Sequence, residues 1–279
     1  MTPRILIIAG SDSGGGAGIQ ADIKTVTMLG GHAMTAITAI TAQNTLGVSA
    51  VHPVPTDMVI AQIDAVVSDI GVDAVKIGMI GSAETANAVA DRLHGLDVPI
   101  VFDPVMVATS GSVLADKDTI AAFEKLMQVS TVTTPNVPEL AALIGRNCDS
   151  EVEGQIAAED LASDFGCAVL AKGGHRPPSE TPQAMLMPGG EVTSNLLSDW
   201  LIVPPGQWFG WSDPRIETPH THGTGCTLAS AIATGLGQGL TLPDAIVRAR
   251  RFVRAALEAA PGFGAGHGPM GHQAVRDFE

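Results

Sequence analysis

Short apolar runs alternate along this chain with longer stretches in which apolar residues recur every three or four positions. The runs at 5–9, 33–40, 74–77, 100–102, 131–133 and 168–171 predict buried strands. The stretches 19–29, 57–70, 83–93, 116–127, 137–144 and 153–165 carry helical spacing. Two more helices are predicted at 225–236 and 243–259, the second with Pro243 at its start, where a helix tolerates proline. Strands that are apolar throughout and alternate with helices predict an α/β fold with a mostly parallel sheet covered on both faces. Residues 185–217 break the rhythm. They hold Pro188, Pro204, Pro205, several glycines and all three tryptophans, Trp200, Trp208 and Trp211. They read either as a lid or subunit contact, or as a surface hairpin whose tryptophans pack on the sheet edge. With no internal repeat or linker, the 279 residues read as a single domain, 1–279. Residues 261–279 are read as its loop or loosely held tail, because Gly and Pro crowd 261–271.

Composition narrows the partners. A net charge of −14 with only fifteen Lys or Arg and no basic run argues against nucleic acid and anionic membranes. Three widely spaced cysteines without CxxC spacing give neither a zinc site nor a disulfide framework and fit reduced thiols in the cytoplasm. The apolar run after Met-Thr-Pro-Arg is too short for a secretory leader or a membrane span. A soluble cytoplasmic protein is expected.

The chemistry concentrates in glycine-rich turns. At His222-Gly-Thr-Gly-Cys226 a glycine turn runs directly into an apolar helix. The unpaired N–H groups and the dipole at such a helix start form an anion site. The same field lowers a thiol's pKa, so Cys226 is expected to sit partly as thiolate beside a bound anion. An anion cradle with an adjacent base suggests phosphoryl transfer. The chain contains neither GxxxxGK[ST] nor a GxGxxG after the first strand, which excludes a P-loop and a Rossmann cofactor site. Glycines 14–16 and 18 follow the first strand and allow close approach of a ligand, or simply a flexible turn.

Seven motifs then occur in order: Gly10-Ser-Asp with Gly-Ala-Gly-Ile-Gln-Ala-Asp22, Thr41-Ala-Gln-Asn-Thr45, Lys76-Ile-Gly-Met79, Asp103-Pro-Val-Met106, Thr134-Pro-Asn-x-x-Glu139, Lys172-Gly-Gly-His175 and Thr221-His-Gly-Thr-Gly-Cys226. Together they closely resemble the hydroxymethylpyrimidine/phosphomethylpyrimidine kinases of thiamine biosynthesis, in the ribokinase-like superfamily. The resemblance runs from Ile5 to about Leu257 and implies a ribokinase-like three-layer sandwich.

It further implies MgATP-dependent phosphorylation of 4-amino-5-hydroxymethyl-2-methylpyrimidine and then of its monophosphate. Asp22 and Gln43 would hold the aminopyrimidine through hydrogen bonds, with Gly10, Met79 and Val105 lining the flat ring. From residue type alone Asp22 reads equally as a first-turn helix charge, and Met79 and Val105 as core. Asn136 and Glu139 would order Mg²⁺ and phosphate, although their spacing also fits a plain capping box. Asp103 would support the metal. Lys172 and Thr134 would contact the nucleotide. Cys226 would take the hydroxyl proton while the N–H groups of Gly223, Thr224, Gly225 and Cys226 hold the transferring group. Members of the family commonly carry lysine where this chain has Thr109, which lacks the charge to meet a substrate phosphate. The resemblance also implies a homodimer. The alternatives are a pyridoxal kinase, a non-catalytic pyrimidine-binding sensor and, more remotely, a cysteine hydrolase, for which no histidine is placed as partner.

Overall fold

A computed structural model of the chain describes residues 1–109, 111–148, 150–175, 185–186, 192–193 and 195–276. Strand β1 (Arg4–Asp12) is buried along almost its whole length. Its side chains alternate between two cores: Leu6 and Ile8 enter one, Ile5 and Ile7 the other. The run is apolar throughout because both faces are covered.

The first core is closed by α2 (Thr56–Asp69), α3 (Ala83–Leu93), α4 (Lys117–Gln128), α5 (Val137–Ile144) and α6 (Glu151–Phe165). Val59, Ile63, Val89, Phe123 and Leu140 are among the side chains they bury there. Phe123 meets Phe102 edge to face at 5.1 Å, a geometry that adds about 0.5–1.5 kcal/mol beyond the area buried. The second core is closed by α1 (Gly18–Met28), α7 (Thr224–Gly237) and α8 (Leu242–Glu258). Helix α7 is buried without a break from Thr227 to Gly235, which its small side chains permit.

The remaining strands are β2 (His32–Asn44), β3 (Gly47–Pro53), β4 (Ala74–Ile77), β5 (Ile100–Phe102), β6 (Val132–Thr133), β7 (Ala168–Lys172), the two-residue pair β8 (Met185–Leu186) and β9 (Val192–Thr193), β10 (Leu196–Val203) and β11 (Gln207–Pro214). The main sheet has nine strands in the order β11-β10-β7-β6-β5-β4-β1-β2-β3. From β2 to β7 it is parallel. β3 is antiparallel to β2 at one edge, and β10 and β11 extend the other edge antiparallel. The expected α/β sandwich with helices on both faces is the observed one.

Residues 196–214 are therefore sheet rather than lid. Trp200 lies over Gly210, its register partner, and packs against the first core, while Trp211 stacks on Phe209 at 6.2 Å. Of the irregular segment, 187–191 and 194 lie outside the described residues, as do 277–279 of the expected tail.

The chain steps from β1 outward to β2 and later returns to β4 on the other side of β1. That reversal opens a crevice at the carboxyl ends of the strands, where open α/β sheets bind ligands.

Candidate active site

A cleft of about 1050 Å³ occupies that crevice. Gly10, Gln43, Met79 and Val105 line one part of it, and Asp103, Asn136, Glu139 and Lys172 another. The first turn of α7, from Gly223 through Thr224 and Gly225 to Cys226, lines it as well. Gly223 is the N-cap of α7 with φ +86°, and a Cβ there would fall 2.0 Å from the Gly16 carbonyl oxygen. Only glycine permits both the turn and this contact between the two glycine loops. No side chain caps the start of α7: Thr224 N–H is bonded to the Thr221 carbonyl at 3.3 Å, and Gly225 and Cys226 keep their N–H groups at the cleft.

Asp103 follows β5 and is buried. Its Oδ1 accepts from Lys172 Nζ at 2.9 Å and from the Thr134 hydroxyl at 3.0 Å. Its Oδ2 faces α7, 3.3 Å from where a Cβ on Gly225 would stand. Lys172 Nζ also lies 4.0 Å from Glu139 Oε2. Asn136 and Glu139 form a capping box at the start of α5: Asn136 Oδ1 accepts from Glu139 N–H at 2.9 Å, and Glu139 Oε2 accepts from Asn136 N–H at 2.8 Å. The capping role and the cleft position are thus held by the same two residues. Burial pushes the Glu139 carboxyl up to about 7, against the pull of Lys172.

Two of the expected contacts are withdrawn from the cleft. Asp22 is fully buried in α1 and does not line it. Its Oδ2 accepts from Lys76 Nζ at 2.8 Å and its Oδ1 from the Ser230 hydroxyl at 2.7 Å, so both oxygens are spent inside the fold. Thr134 is likewise fully buried, and its hydroxyl serves Asp103 rather than a ligand. The remaining expected residues meet at the cleft.

The expected thiolate is also corrected. Burial pushes the Cys226 thiol up to about 11, and only part of this is offset by Lys76. The dipole of α7 does not prevail, because the sulfur shares its surroundings with the carboxylates of Asp22 and Asp103. At neutral pH Cys226 is a thiol.

Three features have roles at the cleft that the sequence did not assign. Lys76, fully buried in β4, carries its charge beneath the site, and its motif was visible without a role attached. His222 is buried, with Nε2 2.9 Å from Asp12 Oδ2 and Nδ1 3.4 Å from Thr109 Oγ1. The segment 261–271 is no loose tail: His267 N–H donates to the Thr45 carbonyl at 2.9 Å, His222 N–H to the Gly268 carbonyl at 3.2 Å, and Gly271 N–H to the Ala256 carbonyl at 2.8 Å. It is a strap that ties together the turn after β2, the loop before α7 and the end of α8.

A family model described as phosphomethylpyrimidine kinase matches residues 12–271. The hydroxymethylpyrimidine/phosphomethylpyrimidine kinase of Rhizobium meliloti is 46% identical over 98% of this chain and 97% of its own. Among solved structures, an ADP complex of Bacillus subtilis pyridoxal kinase matches with a TM-score of 0.84 and 30% identity over 99% of both chains. The phosphomethylpyrimidine kinase of Clostridium difficile matches with a TM-score of 0.75 and 33% identity, covering 91% of this chain and 99% of that one.

Proposed function

The chain belongs to the phosphomethylpyrimidine kinase family, and from that premise we propose that it transfers the γ-phosphoryl group of ATP to 4-amino-5-hydroxymethyl-2-methylpyrimidine and then to the resulting monophosphate, in thiamine biosynthesis. The observation that carries this reading is the position of the α7 start. The N–H groups of Gly225 and Cys226, which have no partner in the helix, stand at one cleft shared by an apolar acceptor end and a charged end. A phosphoryl group moving from one end to the other would pass those donors, which stabilise charge without reorganising.

At the acceptor end, Gly10, Met79 and Val105 supply a flat apolar wall and Gln43 the polar contact. Asp22 acts from below, by holding Lys76 under Cys226. At the other end Lys172, itself held by Asp103 and Glu139, presents its charge to nucleotide phosphates, and Asn136 fixes Glu139. Among the described residues no three His, Cys, Asp or Glu stand close enough to hold a metal by themselves. Two carboxylates beside a phosphate site nevertheless suit Mg²⁺, which keeps most of its waters and takes the rest of its shell from phosphates. Asp103 Oδ2 and Glu139 would hold it, and its charge would neutralise the phosphates. Cys226 is the group placed to receive the hydroxyl proton. The thiol must first ionise against its raised pKa, with Lys76 as the charge that favours the ionised form. The single nine-stranded sheet supports residues 1–279 as one catalytic domain. A homodimer and a cytoplasmic location complete the reading, and no described helix is long and apolar enough to cross a membrane.

The test is ADP release with MgATP against four acceptors: the pyrimidine alcohol, its monophosphate, pyridoxal and hydroxyethylthiazole. Turnover of both pyrimidines is expected. Turnover of the alcohol alone would assign the missing step to Thr109, which offers no charge to a substrate phosphate. Activity with pyridoxal alone would overturn the reading in favour of the pyridoxal kinases whose fold the chain shares.

A further inference from the structure

Asp12, Thr109 and His222 form a polar cluster around Gln43 at the cleft, and the transfer chemistry gives these three no part. Asp12 is buried and accepts N–H bonds from Gly14 at 2.7 Å, Gly16 at 3.0 Å and Ala17 at 2.8 Å. Three such donors hold it as an anion. His222 Nε2 stands 2.9 Å from Asp12 Oδ2. A carboxylate and a ring nitrogen at that distance need a proton between them, and it belongs to Nε2. In the neutral ring Nδ1 is then an acceptor, which suits the Thr109 hydroxyl 3.4 Å away.

The same logic reaches Gln43. Its Nε2 lies 3.2 Å from His222 Nε2, so two donors would face each other. Its Oε1 lies 3.1 Å from Thr41 Oγ1, whose one proton is also claimed by the Ser11 carbonyl at 2.9 Å. A carbonyl can only accept, so Thr41 donates to Ser11 and offers Gln43 a lone pair. With the amide turned over no donor faces a donor: its carbonyl shares the His222 Nε2–H with Asp12 Oδ2 in a three-centre bond, and its nitrogen donates to Thr41 Oγ1.

We propose that His222 is a positioning residue: locked by Asp12 as the Nε2–H tautomer, it fixes the Gln43 amide in that turned orientation and so sets the donor–acceptor pattern offered to the acceptor ring. One amide N–H and one carbonyl lone pair are left for a ligand. They complement a ring nitrogen beside an exocyclic amine, and a ring lacking that pair loses one of the two bonds.

The first experiment is long-range ¹H–¹⁵N correlation on the unliganded wild-type protein, with His222 assigned by its absence from His222→Gln. The Nε2–H tautomer is expected, and the Nδ1–H tautomer would overturn the proposal. The second is kinetic. Glutamine keeps a donor where Nε2 stands, so His222→Gln should retain the wild-type KM for the pyrimidine within about threefold. His222→Leu should raise it several-fold, up to about tenfold, the worth of one neutral hydrogen bond, with the KM for MgATP and kcat nearly unchanged. An unaltered pyrimidine KM in His222→Leu, or an equal loss on both substrates, would refute it. The kinetic arm rests on an aminopyrimidine acceptor and the tautomer arm does not. A wrong acceptor therefore shows as no wild-type turnover, and a wrong tautomer shows in the free protein.

Discussion

At the scale of single residues, the site is governed by which charges are buried together. Asp22 and Lys76 are both fully buried and bonded at 2.8 Å. Removing one partner strands the other, so Lys76→Met should lower stability by roughly 3–5 kcal/mol in urea unfolding, with part of the loss recovered in the Lys76→Met, Asp22→Leu double variant. Cys226 obeys the same environment. With its thiol pushed up to about 11, alkylation by iodoacetamide should be slow at pH 7 and climb about tenfold per pH unit. If Cys226 is the base, kcat/KM should rise with pH through the neutral range, and Cys226→Ser should lose about 10²–10⁴-fold in rate. A rate flat from pH 7 to 9 would leave the thiol as a hydrogen-bonding neighbour only. The sequence showed these residue types in the right loops. It could not show that Asp22 turns inward to Lys76, a charge brought in by a strand 54 positions away, or that burial keeps the thiol protonated against the pull of that same lysine.

At the scale of elements, legibility followed periodicity. β4, β5, α3 and α5 begin and end where the apolar pattern begins and ends. β3 escaped notice because it is an exposed edge strand with no buried face to impress a pattern on it. For β10 and β11 the surface hairpin is one of two readings of a stretch rich in Pro, Gly and Trp, and the pairing that decides between them is visible only in register. The strap at 261–271 is the loop its Gly and Pro predict, but its glycines leave no pattern to show that it is tied down, although they are what lets its backbone approach so closely. A Cβ on Gly266 would fall 2.2 Å from the Thr45 carbonyl oxygen. The α7 start invites a cleaner test. Alanine favours a helix by up to about 1 kcal/mol over glycine, so Gly225→Ala should unfold no earlier than wild type. Its added Cβ would stand 3.3 Å from Asp103 Oδ2 and 3.4 Å from Lys172 Nζ, inside the anion site. The KM for ATP should therefore rise about tenfold or more with stability intact, a split that general damage to the fold would not produce.

At the scale of the whole molecule, two buried groups on opposite sides of the sheet pull stability in opposite directions with pH. His272 is fully buried, with Nε2 2.8 Å from the Thr227 hydroxyl in α7. Burial, assisted by Lys24, drives its pKa down to about 4 from 6.5. The unfolded chain then binds the extra proton between those values, so the stability this group contributes is present above 6.5 and lost as pH falls toward 4. Glu139 is the reverse case. With its pKa raised to about 7 from 4.5, the folded state binds the extra proton, and its contribution is present below 4.5 and lost as pH rises through 7. Between 4.5 and 6.5 the two slopes oppose each other. Relative to wild type, Glu139→Gln should therefore gain stability as pH rises across that interval, exposing the His272 slope. His272→Gln should lose stability over the same interval, exposing the Glu139 slope. Urea unfolding at pH 4.5, 5.5 and 6.5 for the three proteins measures both differences, and taking each against wild type cancels the background of a chain with net charge −14. Parallel curves for all three would mean that neither group changes its proton on folding. In that case His272 would be held by shape alone, and the Glu139 carboxyl would be as well solvated as in the unfolded chain.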